Sequence, residues 1–150
     1  MSLTRQRQPH FLIISFSVFC FAFLLNFLWE NLQTPLYECN KLLGKELIPH
    51  LLVASLGDAL IILLIYWLGV LVYRRITWIF RLNKSRVALI VTLGLVIAVL
   101  IEINATRWQY RWDYTELMPT IYGVGIVPVL QLIILPFIIF WLTKRFLRQQ

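Results

Sequence analysis

The sequence predicts an all-α integral membrane protein, a single four-helix bundle that takes in residues 1–150. Hydrophobic residues make up 60% of the chain and its mean hydropathy is +0.78, more apolar surface than a soluble domain of this size could bury. Four long apolar runs lie at about residues 11–29, 51–73, 87–103 and 119–142. The runs lack the alternation of barrel strands, which favours helices, because only helices and closed barrels satisfy their backbone in lipid.

The first run, residues 11–29, leads into a stripe of polar side chains. Asn26, Glu30 and Gln33 recur at spacings of four and three residues, which places them on one face of a helix. Two interpretations remain open. The stripe is either a helix end that enters water or a polar face that looks into the bundle near one of its mouths.

The second run, residues 51–73, contains Gly57 and Asp58. If its helix begins near His50, Asp58 lies about 12 Å further in, at 1.5 Å per residue. A short Asp side chain cannot reach the interface, and a charged group at the bilayer centre costs about 2.5–3.5 kcal/mol on insertion scales. We therefore expect Asp58 to face the bundle interior. It serves there either as a hydrogen-bonded contact between helices or as an acid, a ligand group or a proton relay.

The third run, residues 87–103, ends with Glu102 near the interface, where Arg107 or the amides of the first run are candidate partners. The segment that follows is dense in aromatic residues. Trp108 and Trp112 are four residues apart and share a face if this segment is helical. Such rings are typical of an interfacial aromatic belt, but some of them, such as Trp112, are also candidates to cap a pocket.

The fourth run, residues 119–142, begins with Pro119, a residue suited to the start of a helix. Gly123 and Pro128 should weaken the helix in its first half, and irregular backbone at that depth is tolerated only against protein or a wet cavity. Gln131 would lie about 18 Å along this helix and should face inward. Tyr122 is a further candidate for the polar interior.

The orientation follows from the loop charges. Ten of the fourteen Lys and Arg residues flank the two termini and the connection between the second and third runs, and no acidic residue accompanies them. Positive charge of this kind marks cytoplasmic segments, so both termini should be cytoplasmic. All seven acidic residues then fall in the outer half of the protein: Glu30, Glu38, Glu46, Asp58, Glu102, Asp113 and Glu116.

The four runs therefore bring polar groups to the same half of the bundle. A cavity that opens outward and is lined by carboxyl and amide groups accounts for all of them. We assign Asp58, Glu30 and Glu102 as candidate catalytic residues. The candidate ligand-binding residues are Asn26, Gln33, His50, Trp112, Tyr122 and Gln131.

Three segments carry a resemblance to known proteins. These are residues 26–37 (NFLWENLQTPLY), Gly57-Asp58-Ala59, and the segment from Trp112 through Pro119 to Gln131. They resemble a widespread family of small four-span bacterial membrane proteins. The resemblance covers most of the chain and implies a bacterial inner-membrane location, but it implies no particular activity.

The leading functional hypothesis is a protein that binds, or acts by acid–base chemistry on, a lipophilic small molecule, for example of isoprenoid type. An apolar environment disfavours a charged carboxylate, so Asp58 could be a proton donor near neutral pH, with Glu30 or Glu102 as the base. The sequence specifies no cofactor, and its net charge of +7 indicates anionic lipid headgroups rather than nucleic acid.

Two other hypotheses remain open. The protein could be a non-catalytic subunit or assembly partner of a larger membrane complex, either as a homo-oligomer or as a hetero-oligomer. Alternatively, Glu30, His50, Asp58 and Glu102 could form a metal site, since carboxylates with one imidazole suit iron, manganese or zinc. The sequence lacks the paired E-x-x-H or H-x-x-x-H spacing that would strengthen this second hypothesis.

Overall fold

The computed structural model of the protein describes residues 10–38, 45–109 and 111–149. Its helices are α1 (Phe11–Gln33), α2 (Leu47–Tyr73), α3 (Lys84–Ile103) and α4 (Ile126–Arg148). Across the described ranges, these four helices are each long and apolar enough to cross a membrane, and each contains an 18-residue stretch with a mean hydropathy of 2.3 to 2.5. The predicted fold, an integral membrane four-helix bundle, is confirmed, whereas the orientation of the termini stays a prediction.

The helices pack so that one cleft is left between α2 and α3. Helix α1 packs against α2 and α4, α4 packs against α3, and α2 and α3 have few contacts with each other. The indole N–H of Trp67, late in α2, donates to the Ser15 hydroxyl, early in α1, at 3.1 Å, so these two helices run antiparallel. Helices α2 and α3 thus form the two walls of a cleft whose floor is α1 and α4.

Glycine permits the closest approach between helices. A Cβ atom at Gly94 of α3 would lie 2.3 Å from the carbonyl oxygen of Leu132 in α4, so the two backbones touch at this point. Small residues at helix interfaces in membranes allow such approach and the dispersion contacts that come with it. The floor of the cleft is therefore firmly joined to its α3 wall.

The connection between α2 and α3 folds back into the core. Trp78 is 1% exposed, and its ring lies against Gly69, where a Cβ atom would come within 2.1 Å of it. Its indole N–H donates to the carbonyl of Tyr66 at 3.0 Å, and its ring meets Phe140 edge to face at 5.6 Å. This end of the bundle is tightly closed, so the open space lies toward the other end.

The fourth run differs from the prediction, which began its helix at Pro119. Residues 120–125 instead form a two-stranded hairpin, β1 (Thr120–Ile121) and β2 (Val124–Gly125), and α4 begins only at Ile126. Both turn residues, Tyr122 and Gly123, have positive φ values of 49° and 77°, as a two-residue type I′ hairpin requires. The hairpin therefore stands where the first two turns of the helix were predicted.

The later start of α4 also corrects the role of Pro128. It was expected to weaken the first half of a helix that begins at Pro119, but it is the third residue of α4. The first N–H groups of a helix have no partner within the helix, so a proline at this position removes no hydrogen bond. Gln131 consequently lies about 7.5 Å along α4, in its second turn, rather than about 18 Å along.

The other helices differ from the predicted runs mainly at their ends. Helix α1 extends to Gln33 and continues as a short 3₁₀ turn, Thr34–Leu36, while α2 begins four residues early at Leu47. Helix α3 begins at Lys84 because the preceding Asn83 caps it, its side-chain oxygen accepting the backbone N–H of Arg86 at 3.0 Å. At its other end α3 runs into a π-helical turn.

Candidate functional site

Gln131 lies at the centre of a hydrogen-bond network that joins α1, α2 and α4. Its amide nitrogen Nε2 is 2.8 Å from Asn26 Oδ1, 2.8 Å from Asp58 Oδ2 and 3.1 Å from Glu30 Oε1. A primary amide has two N–H groups, so these are shared among three oxygen acceptors. Gln131 is 2% exposed and Asn26 is fully buried, which places the network inside the bundle.

The polar stripe of α1 faces this network, so the structure favours the inward interpretation of its spacing. Asn26 donates its own N–H to the carbonyl one turn earlier at 2.8 Å, which leaves its oxygen for Gln131. Gln33 donates to Glu30 Oε1 at 2.8 Å and lies 3.3 Å from Gln131 Oε1. The Trp29 indole N–H donates in turn to Gln33 at 3.1 Å. Glu30 therefore accepts hydrogen bonds from two amides.

Asp58 and Glu30 form a pair of interacting carboxyl groups, which we call the carboxyl pair. Both carboxyl groups lie within hydrogen-bond distance of the same Gln131 nitrogen, Asp58 at 2.8 Å and Glu30 at 3.1 Å, and both line the cavity. Two carboxylates on one nitrogen inside an apolar bundle repel each other, and a proton on either of them removes this repulsion. The carboxyl pair can thus hold one exchangeable proton.

Glu102 of α3 lies on the opposite wall of the cleft and is 3% exposed. The Tyr114 hydroxyl donates to Glu102 Oε2 and accepts the backbone N–H of Gly125 at 3.0 Å. Burial, followed by the hydrogen bond to Glu102, raises the pKa of Tyr114 above its ordinary value. The phenol therefore stays protonated, and as a donor it holds the Glu102 carboxyl group in a fixed position.

The loops at this end of the bundle are joined across the cleft. Residues 34–38 pair with residues 111–118 through an antiparallel bridge between Tyr37 and Tyr114, flanked by two backbone hydrogen bonds of 3.0 Å. We call these two segments the loop clamp. Tyr37 is 8% exposed, and burial together with the nearby Glu102 raises its pKa well above the ordinary range. The clamp thus places neutral phenols at the end of the cleft.

A cavity of about 640 Å³ fills the cleft between α2 and α3. It is lined on α2 from His50 to Ile61, a length of about 16.5 Å along the helix axis at 1.5 Å per residue. Its walls are mostly apolar, with the carboxyl pair on one side and Glu102 on the other. Seven of the nine residues predicted for the site line it: Glu30, Gln33, His50, Asp58, Glu102, Trp112 and Gln131.

Two predicted site residues do not line the cavity, and a third is only at its rim. Asn26 is buried beneath Gln131 and supports the network from behind. Tyr122 was expected to face inward from a helix, but it sits at the tip of the hairpin and is 92% exposed. The carbonyl of Tyr122 accepts a hydrogen bond from Arg107, which was one of the candidate partners of Glu102. His50 is exposed at the first turn of α2.

The sequence did not point to Tyr37 or Tyr114 as site residues. Tyr37 was noted only as part of a resemblance, and Tyr114 only as one of many rings in an aromatic segment. Their role depends on the pairing of two loops that are far apart in the chain. Helical and strand periods relate residues within one element, so they could not indicate that Tyr114 in a loop would contact Glu102 in α3.

The metal hypothesis receives no geometric support from the described residues. Within residues 10–38, 45–109 and 111–149, no group of three or more His, Cys, Asp and Glu side chains lies close enough to hold a metal ion. His50 is at the rim, and Glu102 is held by Tyr114 on the other wall from the carboxyl pair. The donor atoms that were proposed as ligands therefore do not converge on one point.

Comparison of the chain with protein-family models, curated proteins and solved structures gave no match.

Proposed function

We propose that this protein binds a lipophilic small molecule in the cavity between α2 and α3 and exchanges a proton with it through the carboxyl pair. The observation that carries the proposal is the contact of one Gln131 amide with both Asp58 and Glu30 at the wall of the cavity. An arrangement that only joined helices would not need open space beside its carboxyl groups.

The size and lining of the cavity suit a lipophilic ligand. Ligand pockets usually have volumes of about 300–1,000 Å³, with apolar walls and a few convergent polar groups. The volume of about 640 Å³ falls within this range. Apolar side chains such as Leu51, Ile61, Ala98 and Leu132 supply most of the wall, which suits a hydrocarbon chain of isoprenoid type.

We assign different roles to the two members of the carboxyl pair on the basis of their hydrogen bonds. Glu30 accepts from both Gln33 and Gln131, whereas among the residues that the structure describes Asp58 accepts from Gln131 only. Hydrogen bonds to a carboxylate favour its charged form, so the shared proton belongs on Asp58. Asp58 would then be the proton donor to the ligand, and Glu30 the base that takes a proton back.

Glu102 is the second candidate base, on the far wall of the cavity. Its carboxyl group is fixed by the Tyr114 hydroxyl, so it would approach a ligand from the side opposite Asp58. Donation of a proton from one wall and removal of one from the other moves a double bond or a charge without any oxidant or cofactor. A reaction in which one proton is added and another is removed is an isomerisation or a cyclisation of an unsaturated chain.

We further propose that the cavity lies in the outer half of a bacterial inner membrane. The support is the charge asymmetry of the loops, since Lys and Arg dominate the termini and the α2–α3 connection. The resemblance to small bacterial membrane proteins adds to the same location. The bilayer is then both the surroundings of the protein and the source of its ligand.

The direct test is mass spectrometry of the small molecules that copurify with the wild type and with Asp58→Asn. Both proteins are extracted in the same mild detergent, and their elution profiles are compared first. We expect a lipophilic species in near-stoichiometric amount with the wild type and at least several-fold less of it with Asp58→Asn, at unchanged folding.

Equal amounts in the two samples, or only bulk phospholipid in both, would contradict the proposal. A stable larger complex that dissociates in the Asp58→Asn variant would instead support the alternative of a subunit or assembly partner.

A further inference from the structure

We infer that the cavity opens sideways to the lipid through the gap between α2 and α3 at Gly57, and that it admits an amphiphile whose head donates hydrogen bonds. The head is an alcohol or an amine, and it points inward to the carboxyl pair. This inference rests on the proposed function, because it names the class of ligand for the same cavity and the path by which it arrives.

Gly57 marks the opening. It is exposed and lines the cavity, and a Cβ atom built on it would meet nothing within 4 Å. Val53, one turn away, also lines the cavity and is 71% exposed. Gly57 lies ten residues after Leu47, about 15 Å along a helix of about 40 Å, so in a helix that spans the bilayer it lies within the hydrocarbon core of about 30 Å. The gap therefore faces acyl chains rather than water.

The facing wall of the gap is also apolar. Ala98 and Ile101 of α3 line the cavity opposite α2, and the two helices have few contacts with each other. By contrast, α3 is fixed to α4 by the backbone contact at Gly94. A hydrocarbon chain could lie between α2 and α3 with no unpaired polar group beside it.

The loop end of the cavity is narrower. Tyr37 and Trp112 both line it there, and their rings meet edge to face with centroids 6.3 Å apart. Tyr37 belongs to the loop clamp, which ties this end together by backbone hydrogen bonds. A ligand that enters past Gly57 therefore breaks no backbone hydrogen bond, whereas entry at the loop end would require the loop clamp to open.

The polar end of the cavity has more acceptors than donors. Three carboxyl groups provide six oxygen atoms with one proton shared at the carboxyl pair, and the hydrogen bonds to them within the described ranges come from Gln33, Gln131 and Tyr114. Arg111 and Trp112 line the cavity as well, and they belong to the loop clamp at its loop end. No Lys or Arg among the described residues pairs with these carboxyl groups. At the carboxyl pair, a ligand head that donates hydrogen bonds fills this deficit, whereas a carboxylate head would be repelled.

The test uses three photoreactive probes with the same C18 chain and a diazirine next to the head, which is an amine, an alcohol or a carboxylate. Each probe is added to full-length protein in phosphatidylcholine vesicles, and the labelled residues are mapped by mass spectrometry. We expect the amine or the alcohol to label residues of the cavity at least five-fold more than the carboxylate does. Which of the two labels more identifies the head group.

The opening is tested with Gly57→Leu, whose side chain would project into open space. The matched control is Leu60→Phe, an enlargement at a residue of α2 that is 52% exposed and does not line the cavity. We expect Gly57→Leu to reduce cavity labelling about ten-fold and Leu60→Phe to leave it unchanged. Val53→Trp at the rim serves as a second blocking variant if Gly57→Leu does not elute as folded protein.

The outcomes separate this inference from the proposed function. Equal labelling of the cavity in the wild type and both blocking variants would overturn the sideways opening while a binding cavity remained. Equal or stronger labelling by the carboxylate probe would overturn the assigned class of head group. Absence of cavity labelling by all three probes would overturn the inference and the proposed function together.

Discussion

The side-chain amide of Gln131 lies 2.8 Å from a carboxyl oxygen of Asp58, 73 residues earlier in the chain. Helices α2 and α4 otherwise have little contact, so this bond links two elements that α1 holds apart. The same amide bonds Asn26 and Glu30 of α1. One side chain therefore holds together the wall of the cavity that carries the carboxyl pair.

Replacement of Gln131 by Leu should destabilise the protein. The new side chain has a similar volume but no N–H, so it leaves the oxygens of Asn26, Glu30 and Asp58 without their shared donor. Loss of a buried hydrogen-bond partner costs about 1–3 kcal/mol. Thermal unfolding in detergent measures the loss, with Gln149→Leu as the control, an exposed glutamine for which we expect a change within about 0.5 kcal/mol. Equal stability of the two variants would contradict the central role of Gln131.

Two glycines of the spans should respond in opposite ways to replacement by alanine. At Gly94 the added Cβ would lie 2.3 Å from a backbone carbonyl of α4, so the two helices must separate. At Gly57 it would meet nothing within 4 Å, and alanine favours a helix over glycine by about 1 kcal/mol. We expect Gly94→Ala to unfold at lower temperature than the wild type and Gly57→Ala at the same or a higher temperature. A Gly94→Ala protein as stable as Gly57→Ala would refute the close contact of α3 with α4.

Tyr114→Phe should loosen the loop end of the cavity. The variant removes the donor to Glu102 and the acceptor of the Gly125 N–H, and we expect a loss of about 1–3 kcal/mol in unfolding free energy. Trp112 and Tyr37 flank Tyr114, so a change in tryptophan fluorescence should accompany the loss.

The advantage of wild type over Tyr114→Phe should also depend on pH. The folded state raises the pKa of Tyr114, so the protonated phenol contributes its full stability below the unfolded pKa of about 10. That contribution is lost as the pH rises through the folded value. Unfolding measured from pH 7 to pH 11 should thus show a constant difference between the proteins up to about pH 9 and a shrinking one above pH 10. A difference that grows with pH would have the wrong sign.

The helices could be predicted from the sequence because each follows from a local property. Apolar runs of membrane length give the spans, and spacings of four and three residues place Asn26, Glu30 and Gln33 on one face. The depth of Asp58 and its lack of a long stem required an inward position, and the structure places it at the cavity wall. These features need no knowledge of how distant segments meet.

The hairpin and the loop clamp could not be predicted in the same way. A type I′ turn usually takes Asn and Gly, and Tyr122 at φ 49° is a bulky residue in a conformation that favours glycine. The bond from Tyr114 to Glu102 depends on the pairing of residues 34–38 with residues 111–118, which no periodicity encodes. The misplaced start of α4 and the outward position of Tyr122 both stem from this non-local pairing.

Infrared spectroscopy of the carboxyl groups tests the shared proton of Asp58 and Glu30 most directly. At pH 7 we expect the difference spectrum of wild type minus Asp58→Asn to show the carbonyl stretch of one protonated carboxyl group, shifted by exchange into heavy water. The control variant Asp113→Asn removes an exposed loop carboxylate and should give no such band. Absence of the protonated-carboxyl band from the Asp58→Asn difference spectrum would contradict the assignment of Asp58 as the proton donor of the cavity.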